Sequence, residues 1–167
     1  MKATLKLEDG REIAVDVNEE ILKQIEKPKK TGYERVDLGD RYYYFDGWEV
    51  DDHSEDIEDA DDDIYDGANY YSDKTIAENN ARADRLHRQL RRFAVEHREH
   101  ELDWGNERQS KFHIDYWCGD GKLYVGFYNV IKTFGVIWFD SKEAAEAAIE
   151  EFKDELIWYF TEYKDSL

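Results

Sequence analysis

The stretch GANYYSDKTIAENNA, Gly67–Ala81, returns in altered form as GVIWFDSKEAAEAAI, Gly135–Ile149, and this recurrence decides the fold. At one fixed offset Gly67 aligns with Gly135, Tyr70 with Trp138 and Tyr71 with Phe139. Lys74, Ala77 and Glu78 fall on Lys142, Ala145 and Glu146. Each copy joins an aromatic pair to an amphipathic helix. Two copies are too few for a solenoid. They suit a paired α+β arrangement, with short antiparallel strands from each copy covered by two helices.

Working outward, each copy is preceded by strand signals. RYYYFDGWEV, Arg41–Val50, predicts two short strands turning at Asp46-Gly47, because Asp-Gly supplies the positive φ of a tight turn. KFHIDYW, Lys111–Trp117, and KLYVGFYNV, Lys122–Val130, alternate around the turn Cys118-Gly119-Asp120-Gly121. FGVIWF, Phe134–Phe139, predicts a third strand. In the first helix Ile76, Ala83, Leu86, Leu90, Phe93 and Ala94 share a face, and Ser72 is the expected N-cap. Asp140 is expected to cap one long second helix, with Glu143 placed for a capping box. Its apolar face runs from Ala145 and Ala148 to Leu156 and Tyr163. Ahead of both copies, ATLKLEDGREIAVDV predicts a hairpin turning at Asp9-Gly10, and EEILKQIE a short helix capped by Asn18. The expected organisation is a hairpin-plus-helix appendage at 1–27, a linker at 28–32 and a core at 33–167, made of related halves 33–105 and 106–167. Within each half the plan is strand–strand–strand–helix.

Composition bounds the function. The 167 residues carry 23 Lys and Arg against 41 Asp and Glu, for a net charge of −18. That field repels nucleic acid and anionic membranes and attracts basic surfaces. No apolar run reaches the length of a membrane span, and the first residues lack the apolar core of a signal peptide. The one cysteine, Cys118, excludes an internal disulfide and fits a reducing cytoplasm.

The charge is concentrated. VDDHSEDIEDADDDIYDG, Val50–Gly67, holds ten carboxylates and no Lys or Arg. Three readings stand side by side: a mobile solvated loop, a cation site, and a surface that imitates the phosphate backbone to occupy the basic groove of another protein. The calcium reading fails on spacing, since Gly67 at the sixth loop position puts Ile64 at the third, where oxygen must ligate. For the partner reading the charge comes from Asp51, Asp52, Glu55, Asp56, Glu58, Asp59, Asp61, Asp62, Asp63 and Asp66, with Trp48 and Tyr65 adding contact area.

Other constellations are thin. Arg82, Arg85, Arg88, Arg91, Arg92 and Arg98 form the one basic block. They are expected to face the acidic stretch and partly neutralise it. His97, His100 and Glu101 share a helical face, but a zinc site needs further ligands, HExxH is absent and Cys118 has no CxxC partner. His113 alternates with Phe112 and Ile114 and is expected to face solvent. Aromatics on the strands sit among Asp46, Glu49 and Asp115 rather than basic residues, which favours protein over nucleic-acid recognition. Neither a nucleophile elbow nor a phosphate-cradling glycine loop occurs.

YERVDLGDRYYYFDGWEV, GANYYSDKTIAE, ELDWGNERQSKF and FGVIWFDSKEAAEAAIEEFKDELIWYFTEY together resemble a group of small, uncharacterised proteins from phages and prophages of Gram-positive bacteria. The resemblance implies phage origin, life in the host cytoplasm and a counter-defence or host-takeover role; it brings no catalytic motif and no cofactor. The expectation is therefore a noncatalytic acidic protein that inhibits a host nucleic-acid-binding defence protein, in the manner of an anti-CRISPR, without touching nucleic acid or membrane itself. Two alternatives stay open: a metal-dependent enzyme using carboxylates with His97 or His100, and a phage assembly accessory.

Overall fold

In the computed structural model the described residues are 2–6, 12–16 and 30–165. The chain forms two compact units, residues 1–31 and 32–167. In the first, β1 (Lys2–Lys6) pairs antiparallel with β2 (Glu12–Asp16), Lys2 opposite Asp16 and Lys6 opposite Glu12. The expected turn at Asp9-Gly10 and the expected helix at 19–26 lie outside the described residues.

The second unit is α+β. A hairpin of β3 (Arg41–Phe45) and β4 (Val50–Ser54) leads into a short helix α1 (Asp59–Asp66) and then the long α2 (Lys74–Glu96). A second hairpin, β5 (Lys111–Trp117) and β6 (Lys122–Tyr128), leads to α3 (Lys142–Glu151) and α4 (Lys153–Thr161). The duplication seen in sequence is a duplication in space. Tyr43 and Tyr71 exchange backbone hydrogen bonds of 2.8 and 2.9 Å, and Phe112 and Phe139 exchange bonds of 2.9 and 2.8 Å. In each half the aromatic residue just before the helix is stitched to the first strand of its hairpin. This single bridge replaces the expected third strand. FGVIWF contributes only Phe139, because its preceding residues run free of the sheet.

Both helix caps fall one residue later than expected. Asp73 accepts from the Ile76 N–H at 3.0 Å, and Ser141 accepts from the Ala144 N–H at 3.2 Å. Ser72 and Asp140 are occupied elsewhere: Ser72 Oγ donates to Glu34, and Asp140 Oδ2 accepts the N–H groups of Glu99 and His100 at 2.8 and 2.7 Å. The long C-terminal helix is broken at Phe152, whose φ of −111° and ψ of 21° close α3 and start α4.

Apolar side chains gather in two clusters, and α2 belongs to both. Near its start Ile76 and Ala77 pack with Tyr71, Tyr43 and Val50. Further along, Leu86, Leu90 and Ala94 pack with Phe139, with Ala144, Ala145 and Ala148 of α3, and with Leu156 of α4. The alanines let the helices approach closely, so that α2 serves as the spine of both halves. Leu86 is 2% exposed at this crossing. Leu86→Ala is expected to destabilise the protein by about 2–4 kcal/mol, read from urea unfolding as a lower midpoint with an unchanged slope.

Candidate functional site

Residues 33–73 hold sixteen carboxylates against two cations, Arg35 and Arg41, which places −14 of the chain's −18 on one quarter of its length. Within it β3 and β4 form the hairpin and α1 follows, joined to β4 by residues 55–58, which lie in no helix or strand. The Asp46 carboxylate shapes the β3–β4 turn by accepting the N–H groups of Trp48 and Glu49 at 2.7 and 2.9 Å. Gly47 supplies the φ of 103° that the turn requires.

Two of the ten acids are not displayed. Glu55 is 1% exposed and accepts from Arg35 Nε at 3.0 Å, Arg35 Nη2 at 2.7 Å, the Tyr70 hydroxyl at 2.8 Å and the Ile57 N–H at 3.2 Å. Asp61 is equally buried. It accepts from the Tyr42 hydroxyl at 2.8 Å and from the N–H groups of Asp56 and Glu58 at 3.0 and 3.2 Å. The donor rings of Tyr42 and Tyr70 stack on each other with centroids 4.1 Å apart. Three consecutive backbone N–H groups, at 56, 57 and 58, are thus held by two buried carboxylates, and α1 is aimed by them. Bonding to Arg35 first, and to Tyr70, holds the Glu55 carboxyl below its ordinary range. The Tyr42 hydroxyl does most of the same for Asp61. Burial, reinforced by these anions, pushes Tyr42 up strongly, and burial raises Tyr70 to about 12.

Glu55 and Asp61 therefore drop out of the expected partner surface, since their oxygens are spent internally. The other eight acids are exposed. Asp52 pairs with Arg41 at 2.5 Å and Asp62 with Arg35 at 2.6 Å. Among the described residues, Asp51, Asp56, Glu58, Asp59, Asp63 and Asp66 have no basic side chain in ion-pair reach. On α1 the positions 59, 62, 63 and 66 follow i, i+3, i+4, i+7, which is one stripe of a helix. Tyr65 lies 40% exposed on the same helix, its ring edge against Tyr70 and under Arg35. Trp48 is 83% exposed but sits at the β3–β4 turn, while α1 departs from the opposite end of β4. The two aromatics do not form one patch with the stripe.

Arg82 pairs with Glu155 of α4 at 2.8 Å and covers the Trp158 ring at 3.9 Å, so its role is to join α2 to α4 and not to neutralise the acidic stretch. Arg35 and Arg41, both outside that helix, are the cations that meet the acids, and Arg35, Tyr42 and Tyr70 are buried-network residues that local sequence patterns did not single out. His113 is buried, not solvent-facing. It stacks on Tyr128 at 5.2 Å, stands edge-on to Trp138 and has Nε2 3.0 Å from Asp115. His97 stacks on Phe93 at 3.8 Å with Nδ1 2.9 Å from the Phe93 carbonyl, and Glu99 and His100 lie at the Asp140 carboxylate. Among the described residues, no group of three His, Cys, Asp or Glu side chains is placed to hold a metal ion, and no helix is long and apolar enough to cross a membrane.

No protein-family model, curated protein or solved structure matches this chain.

Removing one charge from the buried network leaves Arg35 facing a neutral amide. Glu55→Gln is expected to cost about 2–4 kcal/mol in chemical unfolding and to loosen α1 first. Stability should also fall at both ends of the pH scale. Carboxyls lowered in the folded state stabilise fully above their ordinary range near 4, and that gain is lost as acid protonates Glu55 and Asp61. Tyr70 and Tyr71, raised to about 12, stabilise fully below pH 10 and lose that contribution between pH 10 and 12. Melting temperature against pH checks both limbs, and Tyr70→Phe should flatten the alkaline one.

Proposed function

We propose that this chain is a noncatalytic binding protein whose acidic face occupies a basic, nucleic-acid-binding surface of another protein. In line with the resemblance to phage and prophage proteins, the partner would be a host defence protein, met in the bacterial cytoplasm and blocked by competition with its nucleic acid. One observation carries the reading: the carboxylates are arrayed on a fixed element. Four acids on the α1 stripe span seven residues, or about 10 Å at about 1.5 Å per residue. The mean interval is about 3.5 Å along the axis, close to the ~3.4 Å of axial rise per phosphate of one DNA strand. Arg35 tempers Asp62, while Asp59, Asp63 and Asp66 carry their charge unopposed.

Order matters as much as charge. A mobile loop would lose conformational entropy on docking, whereas a face already held by Glu55 and Asp61 loses little. The concentrated field would steer a cationic partner and make association fall with salt.

The quadruple variant Asp59→Asn, Asp62→Asn, Asp63→Asn, Asp66→Asn tests the proposal. Partners are first captured at low salt from a Gram-positive host lysate and released with duplex DNA. The intact protein is expected to block DNA binding by the released partner. The variant, at matched thermal stability, is expected to bind that partner at least about 10-fold more weakly. Equal inhibition by the two forms would reject the proposal.

A further inference from the structure

Where the C-terminal part of α2 meets the second half there is a pocket opposite in charge to the acidic face. We propose that this pocket binds a small organic anion with a flat apolar body, of the nucleoside monophosphate class. It lies between the C-terminal part of α2 and the 132–138 segment, with a volume of about 540 Å³. Arg91, Arg98 and Lys132 line it, and no Asp or Glu does. None of the three has a carboxylate in ion-pair reach among the described residues. Three uncommitted cations around one pocket are unexpected in a chain of charge −18.

The second observation is hydrogen-bonding capacity left unused. Trp138 lines the pocket at 8% exposure, and its indole Nε1 has no partner; the Nε of Arg98 is also buried and unpartnered. Both groups are donors only, so what satisfies them must be an acceptor. Guanidinium groups and an indole N–H together suit a phosphate. The other walls are apolar: Leu102, Val136 and Ile137, with Trp104 edge-on to Trp138 at 5.1 Å and Lys132 Nζ 5.3 Å from the Trp104 centroid. A bare inorganic ion would leave these walls wet, while a nucleobase would cover them. His87 also lines the pocket and is kept below its ordinary pKa by burial and by Arg91.

The experiment uses the full chain, titrated calorimetrically with adenosine monophosphate, adenosine and inorganic phosphate. The Trp138 indole N–H resonance, assigned with Trp138→Phe, is followed in parallel. Saturable binding of the monophosphate with a shift of that resonance is expected, with adenosine and phosphate each at least about 10-fold weaker. Arg98→Ala and Lys132→Ala alter half-buried or exposed side chains, and each should weaken the monophosphate about 10-fold at an unchanged melting temperature. Absence of saturable binding at millimolar monophosphate would overturn the proposal. So would equal affinity for bare phosphate, or indifference to both variants. Salt-sensitive self-association that Arg98→Ala abolishes, without nucleotide binding, would assign the cations to the acidic face of a second copy and reject the small ligand.

Discussion

Two buried carboxylates organise the acidic half of this protein. An ionised carboxylate removed from water is costly unless its oxygens are bonded and its charge is balanced. Glu55 meets both conditions with the Arg35 fork, the Tyr70 hydroxyl and a backbone N–H; the oxygens of Asp61 are bonded by the Tyr42 hydroxyl and two more N–H groups, with His53 Nδ1 3.8 Å away. Together they fix the path from β4 into α1. They also hold Ile57 at a φ of 57°, a conformation that costs an ordinary residue about 1–2 kcal/mol. With residues 55–61 bonded in this way, the eight remaining acids lie exposed around the buried pair. The anionic face is thus a consequence of what is buried beneath it.

The duplicated plan explains how one small unit carries two unlike surfaces. Each half has a hairpin, an aromatic residue bridged to its first strand, and a capped helix, and α2 packs into the apolar clusters of both. What differs is the connection from the hairpin to that bridge. In the first half it holds α1 and its carboxylates. In the second it holds Val130, Ile131 and Phe134, exposed at 60%, 52% and 103%, and it contributes Lys132 and Trp138 to a cationic pocket. A shared scaffold with divergent connectors separates the charges spatially.

Much of the scaffold was legible in the sequence because it rests on local signals. Alternation located β3, β5 and β6, and the period of α2 identified Ile76, Leu86, Leu90 and Ala94 as inward-facing; β4, expected to end at Val50, instead occupies Val50–Ser54 inside the acidic stretch, where VDDHS does not alternate. The caps slipped by one residue because Ser72-Asp73 and Asp140-Ser141 each offer two adjacent capping side chains, and only the backbone path selects between them. The break at Phe152 left no mark, as EEFKDEL favours helix throughout. Helix α1 was hidden for the opposite reason. Its Asp-rich sequence has low intrinsic propensity, and contacts from Tyr42 and Arg35, distant in sequence, override that preference. Burial of Glu55, Asp61 and His113 depends on such long-range partners, which no local pattern encodes.

The claim at the centre is that Glu55 and Asp61 hold the acidic segment in one conformation. Amide hydrogen exchange at Asp56, Ile57 and Glu58 tests it most directly, since their N–H groups are bonded to those buried oxygens and to no helix or strand. Strong protection at all three, comparable with the N–H groups of α2, is the expected result. Exchange at the rates of an unstructured peptide would contradict the account, because the acids would then belong to a solvated loop.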